Sequence, residues 1–137
     1  MVVLVTVAML VSYFGAVLAM YQQIVEIMEM EVSQDAVYIS TGADHYGEED
    51  LEKIDKALGR TRVTLISPSG EILYDTYGDD ISLENHADRP EIREAFEKGE
   101  GADVRYSDSL GTLMFYAARR TDEGNVVRVS KASRSAF

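Results

Sequence analysis

Residues 2–20 form the longest hydrophobic run, in which Val, Leu, Ala, Met and aromatic side chains are interrupted only by Thr6, Ser12 and Gly15. At ~1.5 Å rise per residue a helix of this length spans roughly 28 Å, about one hydrocarbon core. A soluble helix of this size has no need to be apolar on every side. Tyr21, Gln22 and Gln23 follow as an interfacial exit. Residues 1–23 are therefore expected to form a transmembrane helix. Val17-Leu18-Ala19 also resembles a signal cleavage site. The run is longer than the usual ~7–15 residue signal core, however, and no basic residue precedes it, which favours an anchor. The missing basic flank removes any cue to orientation, and the natural N-terminus is expected to lie upstream.

The helical pattern continues past the exit. Tyr21, Val25, Met28, Val32, Ala36 and Ile39 recur at spacings of three and four, while Glu26, Glu29, Glu31 and Asp35 fall largely off that face. One helix should thus run from the membrane to about Ser40 and break at Thr41-Gly42-Ala43-Asp44. A shorter helix is expected over residues 48–58, with Leu51, Ile54, Ala57 and Leu58 as its stripe and Gly59 as its stop. Its acidic first turn suits the helix dipole without invoking a ligand. The β-branched alternation of residues 62–66, the turn Ser67-Pro68-Ser69-Gly70 and residues 71–75 predict a hairpin. Asp88-Arg89-Pro90-Glu91 reads as a helix start with Asp88 as cap and Glu91 at capping-box spacing. Ile92, Ala95 and Phe96 form the apolar face of that helix, and Gly99 and Gly101 its end. Strands are expected over 102–107, 113–119 and 126–130. Apolar residues on both faces of Leu113-Met114-Phe115-Tyr116-Ala117-Ala118 suggest the central strand. Leu65, Leu73, Phe96, Met114 and Phe115 are the expected core, covered by Ile39 or Val32. Strands joined by hairpins with segregated helices make an α+β domain over residues 24–133.

Charge narrows the function. The chain has 137 residues, with 13 basic against 24 acidic side chains and a net charge of -11. No charged side chain occurs before Glu26, so the imbalance belongs to the domain, and a surface this acidic argues against nucleic acid. There is no cysteine, which excludes disulfides and thiolate metal sites.

The segment Arg62 to Asp75 resembles the first hairpin of extracytoplasmic PAS-like sensor domains (PhoQ–DcuS–CitA, or short Cache) in PhoR-type membrane histidine kinases. Asn85-His86-Ala87-Asp88-Arg89-Pro90-Glu91-Ile92 is similar to the helix that follows it there, and the stretch from Arg105 to Ala117 to its central strands. The resemblance implies a five-stranded antiparallel sheet under a long N-terminal helix. It also implies a homodimer, and a second transmembrane helix after residues 134–137 that leads to cytoplasmic kinase domains. His45 and His86 lack the sequence context of a phospho-accepting histidine, so this stretch is expected to be non-catalytic. Related domains hold a carboxylate with an arginine and aromatics, which makes His86, Arg89, Tyr106 and Tyr116 the ligand candidates. Pro90-Glu91 departs from that pattern, since Glu91 would repel a carboxylate and no deep organic-ligand pocket is expected.

Asp75, Asp79, Asp80 and Glu84, with Asp88 beyond them, form an acidic segment whose oxygens suit calcium or magnesium, although the spacing matches no calcium loop. No cofactor is otherwise implied. The function read from these features is signal input to a two-component histidine kinase at the cell membrane, from a protein, ion or small molecule not legible in the chain. The same module on a chemoreceptor or cyclase, and an anchored interaction domain without signalling, stay open. A tethered enzyme such as a cell-wall hydrolase would need a nucleophile–base pair or metal triad, which the sequence does not offer.

Overall fold

The computed structural model describes residues 1–59, 61–76, 86–108 and 110–133. Helix α1, Val2–Ser40, is unbroken for 39 residues, about 58 Å at ~1.5 Å per residue. Its apolar N-terminal part is long enough to cross a membrane, and none of that window is buried in the protein. Farther along, Val32, Ala36 and Ile39 are buried on the sheet, while Val25 and Met28 pack at the edge of the same cluster. The stripe therefore behaves as its spacing requires, except that Tyr21 stays exposed beside the apolar segment.

A 3-10 turn, Ala43–His45, follows. Helix α2 covers Glu48–Leu58, and its Asp50 carboxylate accepts the Gly47 N–H at 3.2 Å. Strands β1, Arg62–Ile66, and β2, Ile72–Asp75, are joined through a turn in which the Gly70 N–H donates to the Ser67 carbonyl at 2.9 Å. Gly70 has a φ of 87°, a conformation that favours glycine. A second 3-10 turn, His86–Asp88, leads into α3, Pro90–Lys98. Strands β3, Glu100–Ser107, β4, Thr112–Arg120, and β5, Val126–Ala132, complete the sheet.

All pairings are antiparallel and the order is β2-β1-β5-β4-β3. The α+β expectation holds, with one correction. The middle strand is β5, not β4, although β4 is interior and covered by α1 on one face and α3 on the other. Both signals are alike in sequence, because Val126, Val127, Arg128, Val129 and Ser130 are all buried.

The faces carry different chemistry. Toward α1, Val63, Phe115, Ala117, Val127 and Val129 meet Val32, Ala36 and Ile39. Toward α3, Ile66, Ala118 and Val126 meet Ile92 and Ala95. Of the expected core residues Phe115 is fully buried, Leu65, Phe96 and Met114 are half-buried, and Leu73 is 53% exposed. Leu73 lies on β2, whose outer side no other strand pairs among the described residues.

Polar contacts tie α1 and the turn after it to the sheet. Asp44, in the turn after α1, accepts from Thr121 Oγ1 at 2.7 Å, Asn125 Nδ2 at 3.1 Å and the Glu123 N–H at 3.0 Å, all in the β4–β5 connection. Burial pushes the Asp44 carboxyl up, but these three donors outweigh it and hold it below the usual range. Lys131 Nζ on β5 lies 2.9 Å from Asp35 Oδ2 and 3.6 Å from Glu31 Oε2, both on α1.

Candidate functional site

Side chains alternate along a strand, so the pairing places Arg62 and Thr64 of β1, Asp103 and Arg105 of β3, Tyr116 of β4, and Arg128 and Ser130 of β5 on the face away from α1. Helix α3 closes one end of this face. Gly101 on β3 lets it approach, because a Cβ there would sit 2.1 Å from the Glu91 carbonyl oxygen. The helix is capped at its far end by Gly99, at φ 94°.

At its start, Arg89 is the N-cap and no side chain caps the helix. The expected capping by Asp88 is thus corrected. Glu91 lies too far inward to reach back to the cap because its carboxylate is held by strand guanidinium groups. Arg105 Nη1 donates to Oε2 at 2.7 Å and Nη2 to Oε1 at 3.0 Å, a bidentate fork. Arg128 Nη1 reaches Oε1 at 3.4 Å. Arg105 also donates to Asp103 Oδ2 at 2.5 Å, and its guanidinium lies 3.9 Å from the Tyr116 ring centroid, with that of Arg128 at 5.4 Å.

Glu91 is fully buried. Burial pushes its carboxyl up, yet the Arg105 hydrogen bonds and the charges of Arg105 and Arg128 prevail and hold it below the usual glutamate range. In return the Glu91 fork raises the Arg105 guanidinium. Burial pushes Arg128 down; Glu91 opposes that shift and the Arg62 charge adds to it. Arg128 Nε is buried with no hydrogen-bond partner. Beside this cluster, Arg62 Nε and Nη2 grip the Asp75 carboxylate at 2.8–3.1 Å, and Thr64 Oγ1 donates to it at 3.2 Å. Among the described residues, Arg62, Arg105 and Arg128 thus meet Asp75, Asp103 and Glu91 on the side of the sheet away from α1.

The sequence candidates separate on this frame. Tyr116 is in the cluster. Tyr106 is 62% exposed and points to the opposite face from its neighbour Arg105. His86 opens the 3-10 turn, and Arg89 supplies the carbonyl that accepts the Ile92 and Arg93 N–H groups. Of the acidic segment, Asp75 is the buried partner of Arg62, Asp88 is exposed, and Asp79, Asp80 and Glu84 lie outside the described residues. Among the described residues no three or more acidic or histidine side chains converge as a metal site. Sequence reasoning missed Arg105 and Arg128. The available signal was a lone arginine inside the valine run of β5, together with an Asp-Val-Arg alternation in β3.

No protein-family model and no curated protein sequence matches the chain. Among solved structures, the chain is similar to the Bacillus subtilis YkuI protein, which has an EAL domain and was solved with c-di-GMP and calcium. The likeness has a TM-score of 0.58 at 11% identity, over 90% of this chain and 37% of that one. It is also similar to the extracellular domain of the putative histidine kinase rpHK1S-Z16, with a TM-score of 0.49 at 17% identity, over 66% of this chain and 41% of that one. The chain spans less than half of either solved chain. The second likeness carries no argument, and the first shows the fold alone.

Proposed function

We propose that this chain is the signal-input domain of a membrane histidine kinase, with the sheet outside the cytoplasm and α1 as its route through the bilayer. The observation that supports this most is the continuity of α1. One helix is apolar and uncovered over its first half and buried against β4 and β5 over its last turns. Anything that shifts the sheet face must shift Val32, Ala36 and Ile39, and with them a rod that contains no proline. A signal acts by preferring one arrangement of sheet and helix over another.

The charged face supports a view of the input. On the charged face Arg62, Arg105 and Arg128 already hold Asp75, Glu91 and Asp103. Input through ions or a protein contact fits that arrangement better than a carboxylate ligand does. The test uses the full-length gene product in membrane vesicles with labelled ATP. Acid-labile phosphate on histidine is expected, at a rate that responds to calcium or magnesium and not to small carboxylates. Replacing Gln22 by proline should change that rate and leave thermal unfolding of the domain unchanged. Absence of phosphohistidine would remove the kinase reading, and production of a cyclic nucleotide instead would favour a cyclase. A rate indifferent to the proline would remove α1 as the carrier.

A further inference from the structure

Contacts along α1 set the height of the sheet above the apolar segment. Ala36 shares a cleft with Ala117 of β4, Val32 with Phe115, and Ile24 and Met28 with Leu110, Gly111 and Thr112. Two residues of strand, roughly 6.6 Å, match four of helix, about 6 Å, so β4 climbs alongside α1. The β3–β4 turn at its foot is level with Ile24. Ile24 lies four residues, about 6 Å, beyond Met20, the last residue of the apolar run. The headgroup layer of a bilayer is itself about 5–7 Å thick on each side. At that height neither element carries charge: no charged side chain precedes Glu26 on α1, and Leu110, Gly111 and Thr112 have none. Leu110 is 64% exposed. An exposed leucine alone needs no explanation, but this one extends the exposed apolar surface of Met20, Tyr21 and Ile24 onto the sheet, through the groove it shares with Ile24. Tyr106, farther up β3, is 62% exposed, and an amphipathic ring suits the outer part of the headgroup layer. Asp108 on the same turn is also exposed, which keeps the turn among headgroups and out of the hydrocarbon.

We infer that the β3–β4 turn is a second membrane contact of the domain, with Leu110 set among the lipid headgroups of the bilayer that α1 crosses. The inference rests on reading residues 2–20 as an anchor, which is what brings a lipid surface to the level of Leu110. Charge says how the contact is made. Lys131, which lines the same groove, is held by Asp35 at 2.9 Å and Glu31 at 3.6 Å, and the chain carries a net charge of -11. Such a surface gains nothing from anionic headgroups, so the contact is apolar and suits zwitterionic lipid. It ties the sheet to the bilayer at a point other than the helix, at the foot of a strand that packs on Val32 and Ala36.

The chain has no tryptophan, so Leu110→Trp gives a single fluorescent reporter. Leu73→Trp is the control, exposed as well but at the far end of the sheet, between the partners of Leu65 and Ile66. The chain is placed in vesicles of zwitterionic lipid brominated on the acyl chains near the headgroup. Bromolipid should quench Leu110→Trp about twofold or more, as a place at the interface requires, and leave Leu73→Trp unchanged. A seven-residue insert of Gln, Glu and Lys after Gln23 lifts the domain about 10 Å with almost no rotation, and should abolish the quenching. Tryptophan itself favours the interface, so the chain without it is read too: the same insert should speed amide exchange at the β3–β4 turn. Absence of quenching at position 110, quenching or exchange indifferent to the insert, or quenching that needs anionic lipid, with the chain still in the membrane pellet, would overturn the contact while sparing the anchor. Loss of the chain from the pellet would overturn the anchor reading and the contact with it.

Discussion

Glu91 keeps its charge in the dry interior because two strands supply the guanidinium groups that replace its water. Removing one side of such a group leaves the other uncompensated, a loss of about 3–5 kcal/mol. Glu91→Gln should therefore destabilise the domain by that order in urea titrations near neutral pH. The pH dependence has a definite sign. The folded Glu91 carboxyl lies below its ordinary value, so its contribution is complete above the unfolded pKa of about 4.3 and is lost as pH falls through the folded value. The gap between wild type and Glu91→Gln should narrow as pH is lowered from about 6 to 3, and a constant gap would show that the charge is not what holds α3. This residue was visible in the sequence only as a helix-start glutamate. Capping depends on neighbours within the same turn, whereas the Arg105 and Arg128 that claim its carboxylate lie 14 and 37 positions away. Local spacing carries no trace of such pairs.

At the level of elements, periodicity was informative wherever one face was apolar and the other polar. The ends of α1 and α2 fall at Ser40 and Leu58 as their stripes and stops require, and β1 is Arg62–Ile66 as its alternation requires. Strands β3, β4 and β5 run one or two residues longer than expected at one or both ends, because pairing extends into glycine and polar residues with weak strand preference. The place of each strand in the sheet was less legible. Leu73 looks like its neighbour Ile72, but on an edge strand its side of the pleat faces water. Substitutions should separate these cases. Phe115→Ala should cost about 3–5 kcal/mol and Ile39→Ala about 2–5 kcal/mol, whereas Leu73→Ala should stay within about 0.5 kcal/mol. Equal losses at Phe115 and Leu73 in thermal unfolding would mean that the sheet faces are assigned wrongly.

The whole molecule divides sharply along its length, with all of its charged side chains beyond residue 25 and its longest apolar run before it. Leu10 and Phe14 lie midway along that run and are exposed. Arginine at both positions should release the chain from the membrane fraction, since each charge at the bilayer centre costs about 2.5–3.5 kcal/mol on insertion. Retention of the double variant after alkaline washing would defeat the anchor reading.

The sheet order also bears on how the molecule comes into being. Strand β5 is the last of the five to be synthesised, yet it joins β1 on one side to β4 on the other. Until residues 126–132 emerge, the chain can form only two separate hairpins, β1–β2 and β3–β4, each with an open edge. Such edges pair readily with other chains. Completion of the sheet must also wait for contacts between residues 60 to 68 positions apart, the kind that folds slowly. Only when Val126 to Val129 slots between the two hairpins are the facing edges of β1 and β4 closed together.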